Sequence, residues 1–421
     1  MTDSKNSSNI NSTSNRLENN LSDNSPVPSS TRTSHSHSSP LAPAPRTRPS
    51  SKDLGSMTQW QLIRLKFSKH KLAVVSLLVI IALYILAIFA EFFAPYGPND
   101  KTGSHVFAPP QKIMFSFNMG FYTYPARQIQ NPVDLTTKYF EDKSVFVPLS
   151  IFGKTESYNL AGIIPMNRKL VAIDSAKFAE LNPGSKEVPT FFALGSDRYG
   201  RDIFSRIIYG SRISLSIGLV SIVMSFFLGL AIGGISGYMG GTVDVVIQRV
   251  IEILQAIPGL PLWITLGAVM PAAWPPLWVY FGITIVLSFL GWTGLARTVR
   301  GKLLSLREED YAVAARLLGA SHSRIIFRHL LPGFTSHIIV SLTMTIPGMI
   351  LGETSLSFLG LGLRPPLVSW GVMLQDCLNL DILFRQPWII MPTVFVILTV
   401  ISFNFVGDGL LDAADPYHAG K

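Results

Sequence analysis

The side chains that could carry out acid–base, nucleophilic or metal chemistry are few and scattered in this chain. Cys377 is the single cysteine, so an intrachain disulfide and a thiolate metal cluster are excluded. Asp408, Asp412 and Asp415 follow the last apolar run. Their one nearby nitrogen ligand is His418, which argues against a metal site. The sequence contains no GxxxxGKS or GxxxxGKT phosphate loop and no cluster of His, Asp and Ser, so we expect a non-catalytic chain.

The composition is typical of a membrane protein. The chain is 48% hydrophobic and only 14% charged, with a mean hydropathy of +0.35. A soluble chain is about one quarter charged. In a soluble protein the net charge of +9 would point to nucleic acid, but in a membrane protein an excess of Lys and Arg marks the cytoplasmic flanks of the spans. We therefore expect a lipid bilayer around the chain and no nucleic-acid partner.

The N-terminal part divides into a tail and a first membrane span. Residues 1–57 are rich in Ser, Asn, Thr and Pro and lack aromatic residues, which predicts a disordered tail. Residues 58–94 hold an amphipathic entry and an uncharged run at 72–90 that is long enough to cross a bilayer. Basic residues precede this run, so the positive-inside rule places the tail in the cytoplasm.

Residues 95–205 form an insert with no run long enough to span a membrane. Its apolar pieces Val145–Phe152 and Leu160–Pro165 are short and predict small strands or turns. The position after the first span places this insert outside the cytoplasm. It is either a small folded module or an extracytoplasmic lid, and the sequence leaves both open.

Further apolar runs at 213–243, 253–296, 336–352 and 388–407 complete an all-α membrane protein with six spans. The second of these runs is long enough for two spans, and Pro271 marks the break between them. Six spans return the C-terminus to the cytoplasm. The first run also carries small residues at every fourth position, which share one helix face and predict close helix packing: Ser221, Ser225, Gly229, Gly233 and Gly237, with Gly241 in the following turn.

Two carboxylates fall close to the ends of predicted spans. Glu252 lies at the cytoplasmic end of the third span, and Glu353 lies at the outer end of the fifth. Charged groups at membrane depth are costly, so either residue could line a wet translocation path. Their positions near helix ends favour the simpler interpretation, in which each carboxylate reaches water.

The segment 297–332 between the fourth and fifth spans is basic, which places it in the cytoplasm. It begins with acidic residues at 308–310 and continues with alanine and leucine, as a short helix would. Gly319 is a natural helix stop, and a second amphipathic piece follows that Pro332 closes. We expect two short helices with a sharp bend, shaped to fit a groove in another protein.

This segment resembles the EAA loop of ABC importer permeases. The resemblance lies in Ala314-Ala315-x-x-x-Gly319 and, further on, His329-x-Leu331-Pro332. Val313 stands where the family has Glu, and His329 stands where Ile is usual. The resemblance implies that the loop couples the permease to an ATPase subunit through these residues: Asp310, Tyr311, Ala314, Ala315, Arg316, Gly319, Ala320, His329 and Pro332.

Other stretches are similar to the dipeptide/oligopeptide/nickel permease family, "C"-type subunit. They are Leu194–Leu215, Ser355–Gly362, Trp370-Gly371 and Asn404–Pro416, and the resemblance covers about residues 60–96 and 190–416. It implies a type I ABC importer permease fold over residues 206–416 in a bacterial plasma membrane. It also implies a second homologous permease, two ABC ATPase subunits and an extracytoplasmic substrate-binding protein. ATP and Mg would bind to the ATPase, and no cofactor would bind to this chain.

The cargo and one further transporter class stay open at this point. Peptides are the commonest cargo of the family, but the stretches 305–316 and 412–418 also look like the branch that imports oligosaccharides such as α-galactosides. An ion-coupled secondary carrier is a remoter alternative. Such carriers show inverted repeats and ionisable residues at mid-membrane, and neither is clear here.

Overall fold

The structure is a computed structural model that describes residues 58–414 apart from 104, 118, 131–136, 184, 186–187 and 272. The predicted disordered tail 1–57, and Asp415 and His418 near the C-terminus, lie outside the described residues. In chain order the helices are α1 (Gln59–Lys69), α2 (Lys71–Ile88), α3 (Ala90–Phe93), α4 (Ser175–Leu181), α5 (Ile203–Met239), α6 (Gly241–Ala256), α7 (Gly259–Ala268), α8 (Pro276–Leu306), α9 (Asp310–Leu317), α10 (His322–Arg324), α11 (Leu331–Phe358), α12 (Trp370–Met373), α13 (Leu380–Arg385) and α14 (Met391–Ala414). A π-helix at Ile325–Leu330 joins α10 to α11, and short 3-10 helices lie at Leu374–Leu378 and Pro387–Ile390.

The described part of the chain contains five helical stretches long and apolar enough to cross a membrane. A sixth span is possible if the bent pair α6 and α7 counts as one. The five are α2, α5, α8, the stretch His322–Phe358 and the stretch Pro387–Ala414. Six predicted spans therefore correspond to five continuous stretches and one broken one.

The third predicted span differs most from its expected form. Helices α6 and α7 are bent by 83° at the break between them. Ile257 is extended there, with φ −83° and ψ 124°, because the proline ring of Pro258 disfavours a helical residue before it. The expected break near Pro271 is present as well, since α7 ends at Ala268 and α8 begins at Pro276.

Local side chains explain where several helices begin. Thr58 and Gln61 form a capping box at α1, in which each side chain bonds to the backbone N–H of the other. His70 Nδ1 accepts from Ala73 N at 3.1 Å and caps α2. Asp202 accepts from Ser205 N at 2.8 Å and caps α5, so this helix begins well before the apolar run that predicts it.

The insert between α3 and α5 is a folded β-rich module. Its strands are β1 (Met114–Ser116), β2 (Gly120–Thr123), β3 (Ala126–Gln130), β4 (Thr137–Glu141), β5 (Val147–Ile151), β6 (Lys154–Leu160), β7 (Ile164–Arg168) and β8 (Val171–Ile173). One antiparallel sheet has the order β1-β2-β5-β8, and the pairs β3-β4 and β6-β7 are separate ladders. The prediction of small strands or turns is confirmed, since Val145–Phe152 contains β5 and Leu160–Pro165 contains the turn between β6 and β7.

The spans pack around shared buried side chains. One cluster joins α2, α5, α11 and α14 through Leu83, Ile207, Ile350 and Phe403, each less than one tenth exposed. Large apolar side chains elsewhere on these helices are exposed, as lipid-facing surface requires. The loop between α8 and α11 lies at one end of the bundle, because it joins the end of α8 to the start of α11. The insert and α12–α13 lie at the other.

Candidate functional site

Helix α9 of the predicted coupling loop is held to the bundle by its small residues. Ala312 is only 3% exposed, and Ala315 is half-buried beside it. The two are three positions apart and share one helix face. They pack with Leu303 of α8 and Ile325 of the π-helix in one apolar cluster. Alanine leaves little side chain between the helices, so α9 lies close against the ends of the spans.

The opposite side of the loop is open and carries large apolar side chains among charged ones such as Asp310 and Arg316. Four large side chains are exposed, and we call them the coupling surface: Tyr311 (45% exposed), Leu317 (83%), Leu318 (88%) and Phe327 (60%). Burial, followed by the negative charge of Glu309, raises the pKa of Tyr311, so its phenol is neutral at cellular pH. Exposed apolar side chains in such a group are typical of a surface that binds another protein.

The end of α9 depends on Gly319. Its φ is +79°, in the left-handed region that glycine adopts without strain. Gly319 N donates to the Arg316 carbonyl at 3.0 Å, and Ala320 N donates to the Ala315 carbonyl at 3.1 Å. This is a Schellman motif, and it satisfies two carbonyls that the helix leaves free.

The second half of the loop differs from its prediction. We expected Pro332 to close a short helix, and this is wrong, because Pro332 is the second residue of α11 and helix continues to Phe358. Proline is tolerated in the first turn of a helix, where its missing N–H is not needed. The wider turn of the π-helix precedes it, and the one break inside α11 is at Phe334, with φ −127°.

The predicted coupling residues therefore fall on two separate segments. Asp310, Tyr311, Ala314, Ala315 and Arg316 lie on α9, with Gly319 and Ala320 at its end, and His329 and Pro332 lie on the stretch that continues into the fifth span. All of them are exposed except Ala315 and Ala320, which are half-buried.

The loop is also tied to the end of α5. Arg307 Nη1 donates to the carbonyls of Gly237 at 3.5 Å and Tyr238 at 3.4 Å, and its Nε contacts Glu308 Oε1 at 2.9 Å. The ring of His322 lies 5.1 Å from that of Tyr238, with the two ring planes tilted by 52°. A cavity of about 450 Å³ lies between these groups and α9. The loop therefore contacts the end of α5 as well as α8 and α11.

A second link joins α8 to α6. Arg300 donates through Nε and Nη2 to the two carboxylate oxygens of Asp244, both at 2.5 Å. Ser236 of α5 donates to the same carboxylate. Bidentate pairs of this kind fix geometry as well as charge. The helix that leads into the loop is thus joined to two neighbouring helices.

The ladder of small residues lies against α8. A Cβ on Gly233 would fall 2.5 Å from the Ala296 carbonyl oxygen, and one on Gly237 would fall 2.8 Å from the Arg300 carbonyl oxygen. At Gly229 the obstacle is the side chain of Leu295, 2.8 Å away. Further along the same face, Ser221 and Ser225 are fully buried. The structure brings the five ladder residues together on one face, as close approach of two backbones requires.

The two carboxylates proposed for a translocation path have different surroundings. Glu252 is half exposed and pairs with Arg249 at 2.7 Å. Glu353 is 0% exposed, so the expectation that its carboxylate reaches water is wrong. Serine hydroxyls surround it instead: Ser369 at 2.7 Å, Ser357 at 2.8 Å and Ser214 at 3.4 Å. The reason is that α11 runs beyond the predicted end of its span and the following segment folds back over Glu353.

Sequence reasoning identified Tyr311 but missed the other three residues of the coupling surface, and it missed the buried serine cluster. The sequence did carry a signal for the coupling surface. The alanines of this helix suit its buried face, so the two leucines immediately before Gly319 are left for the exposed side. Ser357 is one helical turn from Glu353, but Ser214 and Ser369 come from other parts of the chain, so no spacing could have joined all three. Among the residues that the structure describes, no group of three His, Cys, Asp or Glu side chains could hold a metal ion.

Two known families match separate parts of the sequence. The family described as "Binding-protein-dependent transport system inner membrane component" matches residues 229–417, which include the whole loop between α8 and α11. The family described as "N-terminal TM domain of oligopeptide transport permease C" matches residues 58–110, which include α1 and α2.

Curated relatives agree with these matches. The oligopeptide transport system permease protein OppC of Bacillus subtilis is 42% identical over 224 residues, 53% of this chain and 71% of that protein. The dipeptide transport system permease protein DppC of the same organism is 43% identical over 224 residues, 53% of this chain and 68% of that protein. The glutathione transport system permease protein GsiD of Pectobacterium atrosepticum is 41% identical over 223 residues, 53% of this chain and 72% of that protein.

A solved structure of the MetNI methionine ABC transporter is a more distant match. It covers 50% of this chain and 96% of that chain, with 17% identity and a TM-score of 0.40. The curated relatives establish the family of this chain, because each is more than 40% identical over more than two thirds of its own length. Permeases of this kind work with an ATPase and a substrate-binding protein. The chain belongs to the family of binding-protein-dependent ABC importer permeases, as a non-catalytic, multi-pass subunit of the inner membrane.

Proposed function

We propose that this chain forms one half of the membrane pathway of an importer for short peptides, and that a second, homologous permease forms the other half. The cargo is supported by the relatives, whose names give oligopeptides, dipeptides and glutathione as the substrates of their systems. Oligosaccharide cargo is not favoured, since these relatives are peptide permeases. An ion-coupled carrier is not favoured either, because the family uses an ATPase.

The observation that carries the proposal is the two-sided character of α9. Its inner face is buried through Ala312, while the coupling surface on its outer side has Leu317 and Leu318 more than four fifths exposed. A helix that is fixed on one side and exposes large apolar side chains on the other suits a groove on a partner protein. The partner we propose is the ABC ATPase, of which two subunits would bind ATP and Mg. This chain would bind neither.

The contacts of the loop support a route for coupling. Closure of the two ATPase subunits would displace α9, and α9 shares a buried cluster with α8 and α11. Arg307 would carry the same displacement to the end of α5. Packed helices shift as rigid bodies between discrete arrangements. The spans would then change between inward-facing and outward-facing states.

We further propose the orientation of the chain in the membrane. The segment 297–332, which is the end of α8 and the loop after it, holds six Arg and one Lys against three acidic residues, which favours the cytoplasm. The β-rich insert lies at the other end of the spans, so it would face the substrate-binding protein. Both termini would then be cytoplasmic.

Uptake into proteoliposomes tests this function. The chain is reconstituted with the second permease, the ATPases and the binding protein encoded with it, and ATP-dependent uptake of a labelled oligopeptide is compared with that of a labelled oligosaccharide such as raffinose. We expect uptake of the peptide and none of the sugar. Uptake of the sugar alone, or peptide uptake that does not need ATP, would contradict the proposal.

A further inference from the structure

The β6–β7 hairpin of the insert has a charged base and an apolar tip. Lys154 and Glu156 lie on the outgoing strand and Arg168 on the returning one, and all three side chains are exposed. The run 159–166 between them carries no charge. At the tip, Ile163 is 82% exposed and Ile164 is 54% exposed. Adjacent large aliphatic side chains that are this exposed are typical of a surface that contacts lipid or another protein.

The hairpin lies along the ends of two membrane spans. At its base, Leu170 N donates to the carbonyl of Phe92, just after α2, at 2.8 Å. At its tip, Ala161 N donates to Glu91 Oε2 at 3.3 Å. Glu91 is itself paired with Arg212 of α5 at 2.6 Å. The ion pair therefore marks the level at which the tip meets the spans.

Beside this ion pair, the tip borders a groove that extends toward the middle of the spans. A groove of about 550 Å³ lies between Ala161, Gly162 and the two helices, and its walls include Tyr84, Leu215 and Leu219. Leu219 is seven positions beyond Arg212, about 10 Å further along the helix at 1.5 Å per residue. Tyr84 is likewise seven positions from Glu91, on the side of the helix that leads into the membrane. Both helices cross the bilayer, so the groove lies between the ion pair and the middle of the membrane.

The backbone of the tip is suited to a place with little water. Ala161 N bonds to Glu91, Gly162 N donates to the Asn159 carbonyl at 3.3 Å, and Ile163 N donates to the Leu160 carbonyl at 3.1 Å. Three consecutive amides are thus satisfied within the protein. Unsatisfied amides are what exclude ordinary loops from the hydrocarbon of a membrane.

We propose that the tip of this hairpin, residues 160–164, is a membrane anchor whose Ile163 and Ile164 side chains lie among lipid acyl chains, and that the groove beneath it holds an acyl chain. Lipid is the occupant because the groove continues the lipid-facing surface of α2 and α5, where Ile88 is 51% and Leu219 is 41% exposed. The anchor would hold the base of the insert at a fixed height above the pathway. The inference is independent of the cargo and of the side of the membrane on which the insert lies.

Site-directed spin labelling of the assembled transporter in lipid nanodiscs tests the anchor. A Cys377→Ser background carries Ile163→Cys in one variant and Glu156→Cys in the other, and each is labelled with a nitroxide. Position 156 is the matched control, because it is exposed on the same hairpin and about 13 Å further from the tip at 3.3 Å per residue. Collision rates with oxygen, which concentrates in lipid, and with a water-soluble nickel chelate are compared.

We expect the label at 163 to collide more with oxygen than with the nickel chelate, and the label at 156 to show the reverse. A label at Ile164→Cys should behave as the one at 163. The proposal is overturned if the nickel chelate reaches position 163 as readily as 156. It is equally overturned if position 163 is screened from both probes, since a protein surface would then cover the tip.

Discussion

The backbone N–H of Ala320 donates to the carbonyl of Ala315 at 3.1 Å, across the left-handed turn at Gly319. This bond closes the last turn of α9, and the chain after it turns back toward the bundle. Leu318, immediately before the turn, is left 88% exposed. The same turn therefore places Ala315 on the core and an apolar side chain on the surface.

Substitution of Gly319 should uncouple the permease. Gly319→Pro replaces a φ of +79° by one near −65° and removes the N–H that bonds to Arg316. We expect it to abolish binding of the ATPase while the chain still enters the membrane. Gly319→Ala should cost about 1–2 kcal/mol through the left-handed backbone alone, because nothing lies within 4 Å of its Cβ.

Gly301→Ala is the control for these variants. Gly301 lies inside α8, its added Cβ meets nothing within 4 Å, and its φ is not positive. ATPase binding and transport should be as in the unmodified protein. Normal transport by Gly319→Pro would show that the end of α9 has no part in coupling.

The small-residue face of α5 gives a prediction about stability. Gly233→Ala would place a Cβ 2.5 Å from the Ala296 carbonyl oxygen, and backbone cannot move aside as a side chain can. We expect the helices to separate, at a cost of about 1–3 kcal/mol. The adjacent Gly234→Ala meets nothing within 4 Å and should be neutral or stabilising by up to about 1 kcal/mol. Thermal unfolding of the purified protein compares the two, and equal melting temperatures would contradict the packing.

The buried carboxylate of Glu353 should fix the segment that follows α11. It accepts from Ser369, which caps α12, and Cys377 lies shortly after in the 3-10 helix Leu374–Leu378. Burial, followed by the charge of Asp376, raises the pKa of Cys377 to about 11, so the thiol is protonated and slow to react at pH 7. Glu353→Ala removes the acceptor, and we expect faster labelling of Cys377 by a maleimide.

Glu252→Ala is the matched control for this experiment. It removes a carboxylate that is half exposed and paired only across one helix turn with Arg249. Cys377 of the Glu252→Ala variant should be labelled at the same rate as Cys377 of the unmodified protein. If Glu353→Ala leaves the rate unchanged too, Glu353 does not position the outer segment.

The proposed orientation predicts where two reporters will be active. An alkaline phosphatase fused after residue 150 lies in β5 of the insert and should be active, because that enzyme folds only outside the cytoplasm. A green fluorescent protein fused after residue 305, at the end of α8, should fluoresce, because it folds inside. The reverse pattern would place the basic loop outside and would leave the ATPase without a docking site.

Features that depend on neighbouring residues could be predicted from the sequence, and features that depend on long-range contacts could not. The spans are visible as uncharged runs, and the end of α9 is visible in Gly319, because both depend on neighbouring residues. The bend at Pro258 was missed, since the uncharged run continues through it. The burial of Glu353 was missed because Ser214 and Ser369 come from other parts of the chain. The continuation through Pro332 depends on the π-helix before it, which no residue pattern indicates.

Co-purification of the ATPase subunits with a Leu318→Asp variant tests the central claim most directly. A charge on the 88% exposed side chain leaves the fold intact but makes the coupling surface unfit for an apolar groove. Leu380→Asp is the control, since Leu380 is 64% exposed on α13, at the opposite end of the bundle. We predict that tagged Leu318→Asp reaches the membrane at the normal level without the ATPase, and that Leu380→Asp retains it. Full retention of the ATPase by Leu318→Asp would contradict the account.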